Sequence, residues 1–505
     1  MISKGQVSSI RCAMNTIETD VCVIGSGAGG AVMAKELAEA GRRVIVLEKG
    51  RRFSRLDFTQ LEADMVPKLY EDAGMRATSN QAIIILHAKG VGGTTLVNNN
   101  ICLRAPEFVL EEWSRLGIER ITPQAMRPYY ERVEWEISVS LIQDEAVSRN
   151  DRVFHQGAER LNLEPRRFMH NRVHCIGCGF CMVGCSYDRK QNMVLTYLPK
   201  AERAGAKLFS HTQAEGIERQ RNSIKAVIAF QRDPDEPGRA RCFRIQAQWF
   251  IVSGGSISTP AFLLRNGLGR LNRNIGRHLT LHPILPNVAL MPEPVYVHEG
   301  IPQCEYVDRL SFSDGAGFLL EGIGAQPAIT SLVIATFGSA HHALMEQWNS
   351  FNVHYVMVKD RPQGRVRISS NGSLAIDYRL HERDQQSLRE SLKLSAQLYF
   401  AAGARQVLLN HVDLPLLRGP DDVQLIDRLP LEANRMALFA PHQMSSCRMG
   451  ADARTSVTDA YGKVHGMENL YIADASVFAT SLGHNPQLTI MALATRNAEY
   501  LCSRN

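Results

Sequence analysis

The sequence predicts an α/β protein in which a Rossmann-like nucleotide-binding domain is joined to a second domain of sheet and helix. A buried strand near the N-terminus runs directly into a glycine-rich turn and a helix. Strand-like and helix-like segments alternate through much of the remaining chain. At 505 residues the chain is too long for one small core, so two domains are expected.

The composition is that of an ordinary globular protein: 45% of residues are hydrophobic, 21% are charged and the formal net charge is +6. The basic residues are scattered, so no nucleic-acid-binding surface is expected. No run of 18 apolar residues predicts a transmembrane helix. The first 18 residues lack an apolar run of signal-peptide length, which predicts a cytoplasmic protein, with export on a partner subunit as the alternative.

The N-terminal unit predicts a dinucleotide site. A strand over 20–24 is followed by a glycine turn, a helix over 31–40 and a second strand over 44–48. The complete strand–turn–helix–strand unit is a far stronger sign than a glycine motif alone. It does not by itself distinguish NAD from FAD.

Each residue type in this unit has a physical role. Gly25 permits the tight turn, Gly27 lets the backbone approach a pyrophosphate, and Gly30 lets the helix pack closely on the strand. The helix N-terminus offers amide donors and a positive dipole to phosphates. Glu48, at the end of the second strand, is placed to accept hydrogen bonds from ribose hydroxyls.

Three later segments resemble the glucose–methanol–choline (GMC) oxidoreductase family. The loop 89–98, KGVGGTTLVN, is similar to the family's first signature, with threonines in place of the usual serines. Residues 255–269 are similar to the second signature, with Asn266 where serine is common. The C-terminal block contains His442, Asp474 and the pair Asn485–Pro486 in the family's order. Together the blocks cover residues 20 to 500 apart from a divergent middle.

The resemblance implies that the cofactor is FAD. In that family the first loop lies along the flavin pyrophosphate and ring, which assigns cofactor contacts to Gly92, Gly93, Thr94 and Asn98. Asp474 is expected to hold the ribityl chain. The helix after Pro486 is expected to face the pyrimidine end of the ring, where its positive end stabilises the reduced flavin.

The resemblance also implies oxidation of an alcohol by hydride transfer to flavin N5. His442 matches the first member of the family's histidine–asparagine pair, and we expect it to act as the base because imidazole titrates near neutral pH. Asn485 matches the second member, and its amide is expected to bind the substrate oxygen. His484 is a weaker candidate. The substrate is a small-molecule alcohol that no motif identifies.

Other functions remain open on the sequence alone. The enzyme is expected to be a dehydrogenase that passes electrons to an external acceptor, which could be a protein. An oxidase that uses oxygen, a non-redox lyase of the same fold and a non-catalytic flavoprotein subunit are the alternatives.

A run of cysteines sets this chain apart from a plain GMC oxidase. Cys175, Cys178, Cys181 and Cys185 have the C-x2-C-x2-C-x3-C spacing of bacterial ferredoxin segments, although Ser186 and not proline follows. The spacing favours an iron–sulfur cluster that carries electrons out of the flavin. Structural zinc, or disulfides and free thiols that shape a loop, are the alternatives.

The resemblance predicts that the FAD-binding domain is discontinuous, over 1–283 and 436–505, with a substrate-binding domain over 284–435. In the first domain, segments 224–232 and 241–251 are expected to pair around a turn at 233–238.

Within the substrate-binding domain, strands are expected over 352–359 and 365–368, and a helix over 382–402. The weakly polar stretch 322–340 is expected to be a buried strand. The alternative for this stretch is an apolar substrate wall or a membrane-surface contact.

Overall fold

The computed structural model describes residues 14–233, 240–310 and 315–504. Its strands are β1 (Met14–Ile24), β2 (Val44–Leu47), β3 (Ile83–Ile85), β4 (Val139–Leu141), β5 (Arg166–Arg167), β6 (Met169–Asn171), β7 (Lys207–Phe209), β8 (Thr212–Gln220), β9 (Ser223–Arg232), β10 (Ala240–Val252), β11 (Arg277–Leu279), β12 (Ile284–Leu290), β13 (Glu305–Leu310), β14 (Gly317–Gly322), β15 (Phe351–Val358), β16 (Gly364–Ile368), β17 (Leu374–Asp377), β18 (Gln406–Leu408), β19 (Leu416–Leu417), β20 (Leu438–Ala440) and β21 (Leu470–Ile472).

The α-helices are α1 (Ala28–Glu39), α2 (Glu62–Leu69), α3 (Glu107–Arg115), α4 (Pro123–Glu136), α5 (Arg149–Arg160), α6 (Tyr197–Arg203), α7 (Gly255–Arg265), α8 (Pro327–Val333), α9 (Gly338–Met345), α10 (Glu382–Ala401) and α11 (Gln487–Cys502). The mixed α/β class predicted from the sequence is confirmed. No helix among the described residues is both long enough and apolar enough to cross a bilayer.

A seven-stranded sheet carries the N-terminal unit, in the order β7-β2-β1-β10-β9-β8, with β21 also paired to β10. Strands β2, β1, β10 and β21 are parallel where they pair. All four residues of β2 are buried, as expected for a parallel strand covered on both faces. Helix α1 packs against α11, so the last helix covers the beginning of the fold.

The predicted strand pair in this region is present. β9 and β10 run antiparallel through Ala240 opposite Arg232. Of the predicted turn, residues 234–238 lie outside the described part of the chain.

A nine-stranded sheet has the order β19-β18-β12-β15-β14-β13-β5, and β20 joins β12 to β3. All eight residues of β15 are buried. Helix α10 covers this sheet, and its residues Leu388, Leu392 and Tyr399 belong to the hydrophobic core between the helix and the sheet. The strand expected over 352–359 and the helix expected over 382–402 are therefore present. The domain boundaries stay a prediction.

The stretch 322–340 differs from expectation. Only Gly322 belongs to a strand, and the chain then forms α8 and α9. Leu332 is 76% exposed and Phe337 is 90% exposed, so the prediction of a buried strand was wrong. Pro327 occupies the first turn of α8, where its fixed φ and missing N–H favour a helix start.

Candidate active site

One large cavity, with a volume of about 2060 Å³, is lined by residues of both large sheets. Strands β1, β2 and β10 contribute Ile24, Leu47 and Val252, whereas β12 and β15 contribute Ile284 and Tyr355. The N-termini of α1, α7 and α11 all reach its wall. Three positive helix ends therefore face one space, which suits an anionic ligand.

Glu48 lies at the end of β2 and is fixed by the glycine turn. Its Oε2 accepts hydrogen bonds from the Ser26 backbone N at 3.1 Å and from Ser26 Oγ at 2.7 Å. Its Oε1 accepts from the Gly50 backbone N at 2.8 Å. Oε2 accepts two hydrogen bonds, but Oε1 accepts only one and keeps a second lone pair, so the carboxylate can still accept from a ribose hydroxyl.

The two glycine loops meet at the cavity wall. Gly93 has a φ of +57°, and a Cβ placed there would lie 2.9 Å from Cα of Gly27. The Gly92 backbone N donates to Ser26 Oγ at 3.0 Å. Only residues without a side chain permit this approach, so the backbone of the two loops forms this part of the cavity wall.

Asp474 follows β21 and organises the start of α7. Its Oδ2 accepts from the Gly255 backbone N at 2.9 Å and from Thr259 Oγ1 at 2.6 Å. Its Oδ1 accepts from the Ser476 backbone N at 2.8 Å. Burial raises the pKa of Asp474, and these hydrogen bonds oppose that shift.

The structure brings most of the predicted flavin-site and catalytic residues to this one cavity. Those that line it are Gly25, Gly27, Glu48, Gly93, Thr94, Asn98, His442, Asp474, Asn485 and Pro486. Gly30 does not line it; it packs on the glycine turn, where a Cβ would collide with the Gly25 carbonyl. Gly92 lies behind the wall and holds the loop through Ser26.

The cavity fits FAD by its own chemistry. A dinucleotide needs a pyrophosphate cradle between two ring pockets, and the facing glycine loops with the α1 N-terminus supply that cradle. The acid Glu48 belongs to the cavity lining. The N-terminus of α11, at Pro486, is placed to stabilise negative charge on a reduced ring.

A half-buried histidine, His442, lines the cavity and packs on a buried one, His282. His442 Nδ1 lies 3.4 Å from Nδ1 of His282, and the rings meet edge to face. Burial lowers the pKa of His442 to about 3 and the pKa of His282 well below its ordinary value. Both rings are therefore neutral near pH 7.

The backbone fixes the tautomers of this pair. The N–H of Gly483 donates to His282 Nε2 at 2.9 Å, so this nitrogen carries a lone pair. A neutral His282 then holds its proton on Nδ1 and directs it toward His442 Nδ1. His442 accepts there and carries its own proton on Nε2. Because His442 lines the cavity, Nε2–H is the group left for a ligand.

A buried carboxyl network lies beside Asn485. Glu321 is fully buried, and its Oε2 accepts from Tyr355 Oη at 2.7 Å and from Gln303 Nε2 at 2.9 Å. The Asn485 amide also faces Glu321 and Tyr355 as a hydrogen-bond donor. Asn485, Tyr355 and Gln303 line the cavity, and the buried Oδ1 of Asn485 has no partner among the described residues.

Sequence reasoning did not assign a role to His282, Gln303, Glu321 or Tyr355. His282 lies in a segment that matches the family's order, but only the fold brings it to His442. Glu321 had a usable signal: it is the sole charged residue in the apolar strand β14, GFLLEG. A lone acid in a buried strand is costly unless it has partners or a function.

The four predicted cysteine ligands line a second, small cavity of about 20 Å³. All four are free thiols and half-buried. Among the residues that the structure describes, no group of three or more His, Cys, Asp or Glu side chains is arranged to hold a metal ion. The geometry therefore does not support the predicted iron–sulfur or zinc site as it stands.

Two buried cations flank the cysteines. Lys190 Nζ donates to the carbonyls of Leu96 at 3.0 Å, Asn98 at 2.6 Å and Cys181 at 2.7 Å. Burial lowers the pKa of Lys190 to about 8. Arg172 donates to a backbone carbonyl and lies 3.9 Å from Cys175 Sγ. Lys190 thus joins the cysteine loop to the loop that faces the cavity.

Comparison with known families gives matches over most of the chain. Profiles described as GMC oxidoreductase match residues 66–284 and 360–494, and an NAD(P)-binding Rossmann-like domain matches residues 23–80. A GMC-type oxidoreductase of Sinorhizobium fredii is 32% identical over 97% of this chain and 95% of the relative. A long-chain-alcohol oxidase of Arabidopsis thaliana is 28% identical over 96% of this chain and 69% of the relative.

Solved structures show the same fold. Pyridoxine 4-oxidase from Mesorbium loti superposes with a TM-score of 0.73 at 16% identity, covering 96% of this chain and 99% of that protein. A formate oxidase from Aspergillus oryzae, studied for FAD modification, gives a TM-score of 0.69 at 14% identity, covering 98% and 99%.

Proposed function

Because the chain belongs to the GMC oxidoreductase family, we propose that it is an FAD-dependent enzyme that oxidises an alcohol by removing a hydride from the carbinol carbon. The observation that carries the proposal is the meeting of His442, Asn485 and Tyr355 in the cavity that also holds the glycine loops. Hydrogen-bonding groups for a hydroxyl thus lie in the same space as the dinucleotide cradle.

FAD, when bound, supplies the hydride acceptor. The chain's own residues hold it: Gly27 and Gly93 leave room for the pyrophosphate, Glu48 accepts from ribose, and Asp474 is available to the ribityl chain. The α11 N-terminus adds positive potential beside the ring.

The substrate oxygen is held by His442 and Asn485. The sequence predicts His442 as the base, and that role needs a free lone pair on Nε2. The Gly483 N–H instead favours Nε2–H, so we propose that His442 donates a hydrogen bond to the substrate oxygen and stabilises charge that develops there. Asn485 Oδ1, which has no partner among the described residues, accepts from the substrate hydroxyl.

An apolar alcohol is the substrate class that the cavity supports. Ile101, Ile284 and Ile323 belong to the wall that also includes Tyr355 and Gln303. Burial of apolar substrate surface against such side chains contributes about 25 cal/mol per Å². The similarity to long-chain-alcohol oxidases agrees with an aliphatic chain.

Anaerobic stopped-flow spectroscopy tests the function. The purified holoprotein is mixed with 1-dodecanol, with glycerol as a polar control, and flavin absorbance is followed. Bleaching by 1-dodecanol and formation of dodecanal support alcohol oxidation. An oxidised flavin at every alcohol concentration would refute it and favour a lyase or a non-catalytic subunit.

The electron acceptor is a separate part of the proposal. Arg172 and Lys190 are buried beside four thiols, and no carboxylate of the described residues forms an ion pair with either cation. Two buried positive charges suit a site whose ligands are thiolates, which is the charge balance of an iron–sulfur cluster. The thiols are not arranged to hold a metal ion in the described structure, so these charges are the sole support for a dehydrogenase with a cysteine-bound cluster and an external acceptor protein. An oxygen-using oxidase is the alternative.

Iron and acid-labile sulfide analysis of anaerobically purified protein tests the cluster. Stoichiometric iron and sulfide support it. Their absence, with zinc or with four reactive thiols instead, refutes it and leaves the oxidase. If the cluster is present, replacing Cys178 and Cys181 with serine should stop turnover with a cytochrome acceptor while flavin bleaching by 1-dodecanol continues.

A further inference from the structure

The most exposed apolar side chains of the described structure lie in two segments of the chain. Among the described residues, five of the six large hydrophobic side chains with the highest exposed fractions belong to 56–75 and 332–337. These five, which are 64% to 90% exposed, are Leu56, Leu61, Met75, Leu332 and Phe337. Single exposed apolar residues are common on protein surfaces, whereas a group of them marks a surface that binds a partner.

The two segments meet where α2 contacts α8. Leu61 directly precedes α2, and the first residue of this helix, Glu62, holds the first turn of α8. The Glu62 carboxylate accepts hydrogen bonds from the backbone N of Ala328 at 2.9 Å and of Ile329 at 3.0 Å. Leu332 lies one turn after Ala328 on the same side of α8, and both side chains are exposed. Leu61 and Leu332 therefore lie close to the contact between the two helices.

The large cavity opens beside these side chains. Asp72 and Met75 are exposed and also line the cavity, so the cavity reaches solvent at the turn that follows α2. This turn packs on α2, since a Cβ on Gly74 would lie 3.1 Å from the Val66 side chain. Ile323, which also lines the cavity, lies four residues before α8. Both segments with exposed apolar side chains thus adjoin the cavity.

The part of this surface that α8 and α9 form carries no charge. Residues 322–345 contain no Asp, Glu, Lys or Arg, although a stretch of this length would carry about five at the 21% average of the chain. The residues that α8 exposes are Pro327, Ala328 and Leu332, and Phe337 is exposed where α9 begins. Protein–protein interfaces favour Arg, Tyr and Trp at their centre, and these helices expose none of the three. A lipid surface needs only apolar area, because it is fluid and requires no matching shape.

We propose that the apolar face formed by Leu56, Leu61, Met75, Leu332 and Phe337 docks on the surface of a lipid bilayer, and that the cavity takes its alcohol from the lipid. The face lies at the boundary between headgroups and acyl chains, and the opening at Met75 faces the lipid. An apolar alcohol then passes into the cavity without exposing its chain to water. The lipid origin of the substrate rests on the proposed alcohol oxidation, whereas the docking does not.

Flotation with vesicles of dioleoylphosphatidylcholine tests the docking without turnover. The holoprotein is mixed with vesicles at low and at high salt, and the fraction that floats in a density gradient is measured. We expect the wild type to bind equally at both salt concentrations, because the apolar face and not a pair of charges carries the binding. The double variant Leu332→Ser, Phe337→Ser should bind about 100-fold more weakly, since each apolar side chain contributes about tenfold when it is buried in lipid.

The matched control is the double variant Leu116→Ser, Trp135→Ser, which removes two exposed apolar side chains outside the apolar face and should bind as the wild type does. A wild type that does not float, or that floats only at low salt, would overturn the docking. So would wild-type flotation of the Leu332→Ser, Phe337→Ser variant with its flavin retained. A wild-type dimer that this variant converts to monomers, without vesicle binding, would mean that the face joins two copies of the chain.

Stopped-flow reduction separates the docking from the proposed function. 1-Dodecanol is supplied in the same vesicles, and 1-hexanol is supplied in water. The Leu332→Ser, Phe337→Ser variant should be reduced at least about tenfold more slowly by vesicle-borne 1-dodecanol and at the wild-type rate by 1-hexanol, because its cavity is unchanged. If the wild type floats but neither alcohol bleaches its flavin, the proposed function fails and the docking stands. If both proteins are bleached equally fast by vesicle-borne 1-dodecanol, the lipid route is wrong and the function stands.

Discussion

Replacing Lys190 with methionine removes a buried charged group that joins the flavin-facing loop to the cysteine loop, beside Arg172. The Nζ atom donates to three backbone carbonyls, of Leu96, Asn98 and Cys181, at 2.6 to 3.0 Å. Methionine has nearly the same length and no donor. Three carbonyls would lose this donor, and the two loops would be joined by fewer hydrogen bonds.

The magnitude follows from two opposing effects. Hydrogen bonds to a charged group contribute about 1.5–3 kcal/mol each, which gives several kcal/mol in total. Burial of the ammonium opposes this, since a pKa lowered from 10.5 to about 8 corresponds to about 3 kcal/mol. We therefore expect Lys190→Met to reduce the free energy of unfolding at pH 7 by about 3 kcal/mol.

The pH dependence gives an independent check. Between about pH 8 and 10.5 the unfolded chain binds the Lys190 proton and the folded chain does not, so this residue makes stability rise with pH over that window. The variant should lack this rise. Urea unfolding at pH 7 and pH 9, with fluorescence of released flavin, measures both effects.

The control is Lys393→Met, which breaks an exposed ion pair with Asp427 and should cost less than about 1 kcal/mol. If Lys190→Met is as stable as this control and releases flavin no faster, the bridging role of Lys190 is wrong.

Three further outcomes are expected. Gly93→Ala should abolish flavin binding because its Cβ would lie 2.9 Å from Cα of Gly27. The control is Gly403→Ala, since Gly403 also has a positive φ but has open space around it and should keep the flavin. Equal flavin content in the two variants would contradict the close approach. His442→Ala should slow anaerobic flavin reduction about 100-fold with FAD still bound, as expected for loss of a donor at developing charge, and a wild-type rate would remove it from the site. Asp474→Asn should lower flavin affinity, measured by equilibrium dialysis, and unchanged affinity would limit Asp474 to holding Gly255 and Ser476.

The parts of the fold that could be predicted are those determined by a short, continuous stretch of sequence. The N-terminal unit depends on local rules for strands, glycine turns and helix starts, and the structure places β1, α1 and β2 where the pattern indicates. Most of the residues predicted for the FAD site line one cavity, and they could be picked out because residue type and order identify a glycine loop and a C-terminal acid. Their contacts with FAD remain a prediction.

The remaining features depend on contacts between distant segments. Glu321 acquires its character from Tyr355 on another strand and from Asn485 near the C-terminus, and no local pattern reports such a neighbour. The tautomer of His442 depends on a backbone N–H at Gly483 through a second histidine. The stretch 322–340 was misjudged because short apolar runs fit a strand and a helix equally well.

The parallel pairing of β10 with β21, and the packing of α11 on α1, also constrain the order of events during synthesis. The glycine turn leaves the ribosome early. Gly29 in this turn packs against the carbonyl of Ala473, a residue that is translated more than four hundred residues later. A nascent chain therefore carries the dinucleotide motif long before it has a pocket. Cofactor loading must follow release of the nearly complete chain, and a nonsense mutation anywhere before α11 should yield apoprotein fragments and no truncated holoenzyme.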